Sequence, residues 1–197
     1  MELKGGTGGI QAQCPCLTFQ EIYKLDMTFQ VQSPEDLDPE EKDPIMGWVV
    51  KTIPGAGCGN KIVARLMLQS LKFVELIIHS EKEKNTIMDK LRQCKELLLT
   101  CSEVSEALQA DVQHIVGQIE RGEISYDMRT RVYNPFPHVN ELESKCIRFL
   151  TSAKLFLQTL AEVFNLFYGT SFDGPRYHKI RDFLRKKMGI STSSISW

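Results

Sequence analysis

Seven residues, Gly55-Ala-Gly-Cys-Gly-Asn-Lys61, invite comparison with a phosphate-binding loop. In such a loop, backbone amides, a lysine ammonium and the next hydroxyl converge on phosphates and their magnesium ion. Here Ile62 follows the lysine and Asn60 precedes it, so the hydroxyl and the last glycine are both missing. A phosphate loop also leads from a buried strand in a parallel sheet, and the periodicity of this chain is helical. The stretch is read as a turn into a helix, and no cofactor is expected. Cys14-Pro-Cys16 is tighter than the Cys-x₂₋₄-Cys spacing of structural zinc and has no second pair nearby. His79, His114, His138 and His178 are scattered and read as solvent-face residues, so no metal is expected either. Nucleophilic catalysis needs a base beside the nucleophile and an oxyanion donor. No nucleophile elbow, no His-Glu-x-x-His and no paired carboxylates on an apolar face occur. The chain is expected not to be an enzyme, and no catalytic residue is assigned.

Two other stretches carry recognition chemistry. Asn134-Pro135-Phe136 places asparagine before proline, which favours an Asx-turn that projects the phenylalanine outward. The tripeptide resembles the ligand recognised by EH domains of endocytic proteins, and that resemblance implies a peptide-motif contact at these three residues. The preferred reading from the residues themselves packs Phe136 as a staple beneath the next helix, with Pro137 setting its entry. Near the C-terminus, Arg176, Lys179, Arg181, Arg185, Lys186 and Lys187 face only one carboxylate, Asp182. Tyr177, Ile180, Phe183, Leu184 and Met188 supply an apolar face to the same helix. That pattern suits an anionic membrane surface or an acidic partner. The bland alternative is a helix docked by its apolar face with its charges solvated.

The elements that would position these residues are read as helices. Val139, Leu142, Cys146, Phe149, Ala153, Phe156, Leu160, Val163 and Phe167 step alternately by three and four, which keeps them on one helical stripe. A second stripe runs beside it through Ile147, Leu150, Lys154, Leu157, Ala161, Phe164 and Tyr168. Two adjacent stripes suit a helix over 139–168 with at least two neighbours. Ile87, Leu91, Cys94, Leu98, Cys101, Ser105, Leu108, Val112, Ile115 and Ile119 form a comparable seam over 86–121, ended by Gly122. A helix over 61–83 opens on Asn60 as its cap and breaks near Asn85. Residues 174–188 form the basic helix, capped by Asp173 and ended by Gly189.

The front of the chain is read as weaker structure. Residues 1–17 are glycine-rich and expected to be mobile. Residues 18–31 are taken as a short helix with Phe19, Ile22, Tyr23 and Leu25 inward, although Met27–Val31 also alternates as a strand would. An acidic, proline-punctuated linker over 33–43 leads to a short helix carrying Ile45, Trp48, Val49 and Ile53. The fold expected is all-α, an antiparallel four- or five-helix bundle with long central helices and a short basic C-terminal helix. Residues 1–43 form a weakly structured segment, 44–189 the bundle domain and 190–197 a Ser/Thr-rich tail.

Composition narrows the function classes. The chain has 197 residues and a net charge of −1, which argues against a nucleic-acid binder that works by global electrostatics. Met1 is followed by Glu2 and Lys4 with no apolar run, and no stretch approaches the length of a membrane span. Localisation is expected to be cytoplasmic, with the six cysteines as reduced thiols. Cys94, Cys101 and Cys146 all fall on seams and are expected to be buried. The leading functional reading is a non-catalytic cytosolic protein-interaction module, a scaffold or signalling adaptor whose partners are other proteins. The second is a peripheral protein that binds anionic lipid through the basic helix.

Overall fold

The computed structural model describes residues 3–16, 19–32, 49–77, 80–172 and 177–188. Packing divides the chain into two compact units, Met1–Glu96 with Phe156–Trp197 and Leu97–Leu155. The first unit overturns the all-α bundle. It holds a four-stranded antiparallel meander, β1 (Ala12–Pro15), β2 (Gln20–Tyr23), β3 (Met27–Gln32) and β4 (Val49–Pro54), in the order β1-β2-β3-β4. β1 lies in the stretch expected to be mobile, and β2 and β3 occupy the expected helix over 18–31. The second half of the helix expected to end at Ile53 is β4. Its first half and the acidic linker lie outside the described residues, as does the tail.

β2 and β3 are covered on both faces. Ile22, Phe29 and Val31 cluster on one face with Leu3 and Met27 packed against them. The register sets Cys14 opposite Glu21, Glu21 opposite Gln30 and Tyr23 opposite Thr28, which places these side chains on the other face. β3 keeps the apolar-polar alternation of Met27–Val31, with Thr28 and Gln30 on the face that carries Glu21. Phe19, Ile22 and Tyr23 mimic a helical stripe by coincidence of spacing.

The glycine-rich loop completes this sheet rather than cradling phosphate. Gly55, Cys58 and Gly59 donate their amides to the carbonyls of Asp26, Lys24 and Leu25 at 2.8–2.9 Å. A Cβ at Gly57 would lie 2.4 Å from the Met27 nitrogen, so no other residue fits there. Asn60 then caps the next helix as expected, its Oδ1 accepting from the Ile62 amide at 2.9 Å.

That helix, α1, begins as Lys61–Val63, passes through a π-helical turn at Ala64–Gln69 and continues as Ser70–Ile77. The next helix, α2, runs unbroken from Glu81 to Glu120, so the break expected near Asn85 falls earlier in the chain. Gly122 ends it with φ +74°. The connection that follows is not merely polar. It pairs β5 (Ser125–Asp127) with β6 (Val132–Asn134), and Tyr126 and Tyr133 meet across the pair with centroids 5.0 Å apart. The stripe helix, α3 (Leu142–Tyr168), is close to its expected bounds and stops at Gly169 with φ +61°. The basic helix, α4, spans Tyr177–Met188, and its expected cap Asp173 lies outside the described residues. Among the described residues, no helix is long and apolar enough to cross a membrane.

One ion pair fastens the sheet of the first unit to α2. Lys95 Nζ donates to both carboxylate oxygens of Glu21 at 2.7 Å, and both side chains are sealed from solvent. Gln30 Nε2 donates to Glu21 Oε1 at 3.0 Å, and the Tyr23 hydroxyl donates to Oε2. Burial by itself would raise the Glu21 pKa, but the Lys95 charge and these donors outweigh it and hold the carboxyl below its ordinary value. Removing the lysine strands a buried charge, so Lys95→Ala should cost about 3–5 kcal/mol in urea unfolding. The paired replacement Lys95→Met with Glu21→Gln should recover much of that, and a Lys95→Ala loss under about 1 kcal/mol would place the pair in solvent. The sign with pH follows from the lowered pKa. The stabilisation is complete above the unfolded value near 4.5 and is lost as pH falls through the folded one. Unfolding midpoints taken below pH 4.5 should therefore drop more steeply for wild type than for the paired variant.

Candidate interaction surfaces

Residues of reactive type do gather in one place, around Glu21 and Lys95, but nothing can reach them. Glu21, Tyr23 and Lys95 are all fully buried, and Cys14 and Cys16 lie on the same side of the sheet, also buried. Burial first, then the Glu21 charge and its hydrogen bond, push the Tyr23 phenol up, so it stays protonated as a donor. The hydrogen bond with Cys14, followed by burial, raises the Cys16 thiol. A protonated thiol is a poor nucleophile and a poor zinc ligand. The cluster holds structure together and offers no substrate a path. Among the described residues, no group of three or more His, Cys, Asp or Glu could hold a metal ion.

The basic helix α4 belongs to the first unit, and Ile180 and Phe183 of its apolar face are occupied. Ile180 is buried, and Phe183 meets Tyr168 and Phe172 edge-on, each with centroids 5.5 Å apart. Asn165 sets up this seat. Its Oδ1 accepts from the Phe172 amide at 2.7 Å and its Nδ2 donates to the Phe172 carbonyl at 2.9 Å. Lys187 Nζ sits 4.6 Å over the Tyr168 ring, a cation–π contact, and Arg181 pairs with Asp182 at 3.1 Å. Lys179 and Lys186 remain exposed and Arg185 half-exposed, while Arg176 lies outside the described residues.

In the second unit, Asn134, Pro135 and Phe136 follow directly from β6. Phe136 is 73% exposed, so it is not the buried staple preferred from the residues. It lines an open cavity of about 260 Å³ together with Asp111, His114, Gln118 and His138. Sequence spacing gave no sign that His114 and His138 line one cavity, because the β5–β6 hairpin lies between them in the chain. Asp111 is already engaged, accepting from Lys145 Nζ at 2.6 Å.

The same unit exposes far more apolar surface than it buries. Among the described residues of Leu97–Leu155, only Cys101, Val104, Ile124 and Ser152 are buried. Twelve large apolar side chains there are exposed, among them Met128 at 82%, Leu150 at 65% and Ile147 at 57%. On α3 the outcome of the two stripes is uneven. Phe149, Ala153 and Phe156 of the first are half-buried, whereas Leu142 and Cys146 are exposed. In the second, Ile147, Leu150, Lys154 and Leu157 all face solvent. This outer stripe of α3 is a second departure from the bundle expectation, beside the sheets. The helix was built for a second neighbour, and the unit supplies one side only.

Cysteine exposure gives a direct check. All six cysteines are free. Cys94 is buried, and burial pushes its pKa up to about 12. Cys101 is likewise buried and raised, but Cys146 is exposed, contrary to its seam position. Alkylation of native protein followed by mass spectrometry should modify Cys146 rapidly and leave Cys94 unmodified for far longer. Equal rates would mean that the outer part of α3 is covered. Set beside known proteins, the chain matches no family model, no curated protein and no solved structure.

Proposed function

We propose that the chain is a non-catalytic protein-interaction module whose binding element is the outer stripe of α3. One observation carries this reading. A unit with four buried side chains exposes Ile147 and Leu150 side by side on a rigid helix. Contiguous exposed apolar side chains on a folded surface mark sites of association. Anchors at spacings of three and four fit a partner that brings a stripe of its own, and an amphipathic helix is such a partner. The one gathering of reactive side chains described above, around Glu21 and Lys95, is sealed from solvent. The alternative, binding of anionic lipid through the cations of α4, rests on Lys179 and Lys186, which are exposed, while Ile180 and Phe183 are seated in the first unit.

A photo-crosslinking residue placed at Leu150 in one sample and at Lys186 in another separates the two. The proposal expects discrete protein adducts from position 150 and none from 186. Adducts to lipid or protein from 186, with none from 150, would replace it with the basic-helix reading. Because both side chains are exposed, Ile147→Asp with Leu150→Asp should change stability by only about 0.5 kcal/mol while removing the adducts. Unchanged adducts in that variant would place the binding element elsewhere.

A further inference from the structure

We propose that the outer stripe of α3 docks on the same stripe of a second copy of the chain, antiparallel, about a two-fold axis. This rests on the interaction reading above and names its partner. Within the second unit, the exposed stripe of α3 reads Glu143, Ile147, Leu150, Lys154, with steps of four, three and four. That order is palindromic in spacing and anti-palindromic in charge. A two-fold axis between positions 148 and 149 sets Ile147 against Leu150 and Glu143 against Lys154, each pair formed twice. The steps are those of alternating core positions in a coiled coil, where an antiparallel pair stacks unlike positions in each layer. A parallel pair would instead oppose Glu143 to Glu143 and Lys154 to Lys154, which like charges disfavour.

The remaining charges on this stretch of α3 fit the same arrangement. Of the four charged residues in positions 142–155, Lys145 pairs with Asp111 at 2.6 Å and Arg148 with Glu103 at 3.0 Å, both within the unit. Glu143 and Lys154 are exposed and form no ion pair among the described residues. Glu143 also suits the first turn of the helix, where a negative charge is favoured. Lys154, midway along the helix, has no such local reason. The flanking positions Ser144, Cys146, Thr151 and Ala153 are small and uncharged, so they allow two helices to approach without like-charge repulsion. Two apolar layers bounded by two charged ones bury much less than the roughly 1,200–2,000 Å² of a standard stable interface. The association is therefore weak, reversible and concentration-dependent.

Sedimentation equilibrium of the purified full chain over a wide concentration range tests this, with helix content followed by circular dichroism. Wild type should dimerise. Glu143→Lys opposes lysine to lysine, and Lys154→Glu opposes glutamate to glutamate, so each alone should weaken the dimer by about tenfold or more. Mixing the two variants in equal amounts should restore a dimer as a heterodimer, because every opposed pair is then of unlike charge. The chain carrying both substitutions should dimerise like wild type, which also shows that the substituted helix still folds. Wild type that stays monomeric overturns the proposal, as do single variants that dimerise unchanged or a mixture that fails to recover. Monomeric wild type that still forms Leu150-position adducts with a different protein sinks the self-association and leaves the interaction reading standing. Monomeric wild type without adducts removes both.

Discussion

The first unit depends on a buried ion pair. Glu21 on β2 and Lys95 on α2 lie 74 positions apart in the chain, and both are withdrawn from water. Desolvating two charges costs several kcal/mol per ion, and their attraction offsets this only when geometry is good and the other lone pairs are satisfied. Here Lys95 contacts both carboxylate oxygens, while Gln30 and Tyr23 supply further donors. The pair fixes which residue of α2 faces which residue of β2. An apolar contact at the same place could slide by a turn, whereas a stranded carboxylate cannot be tolerated. The glycine-rich loop serves the same end, because its amides clamp the β2–β3 turn.

How much of this was legible follows from what each element packs against. α2 and α3 each carry long runs at steps of three and four, and both helices were readable to within a few residues, apart from the start of α2. The strands were less so: Met27–Val31 does alternate, as β3 requires, but Phe19, Ile22 and Tyr23 at and before the four-residue β2 fit a helical stripe equally well. No local pattern could place Glu21 beside Lys95. Phe136 and Cys146 were misjudged for a different reason. Periodicity shows that a face is apolar, but not that the chain itself supplies the cover. The basic helix was legible as a helix, while the docking of its apolar face through Phe183 required Asn165 and Phe172, which come from another part of the sequence.

The two units illustrate opposite balances between burial and display. In the first, side chains such as Val63, Met67, Ile87 and Met88 are sealed from solvent. In the second, the helical segments are tied mainly by polar contacts, Lys145 to Asp111 and Arg148 to Glu103, with few apolar side chains enclosed. Rim ion pairs contribute little stability but set register well. A segment held in register by charges, with its apolar residues left outward, is suited to presenting a surface. That is why the functional reading is drawn from this unit and not from the cluster of reactive side chains in the other.

The separation of Glu21 from Lys95 also has a consequence for synthesis. The meander β1–β4 is complete by Pro54, about forty residues before Lys95 is added. At roughly 5–20 residues per second, the nascent sheet spends some seconds with Glu21, Tyr23 and Cys14 uncovered. During that interval the carboxylate keeps the face hydrated. Without its lysine it would have to give up that water or take up a proton before another strand could lie against it. Vectorial synthesis thus delivers the carboxylate of β2 well before the lysine of α2 that neutralises it.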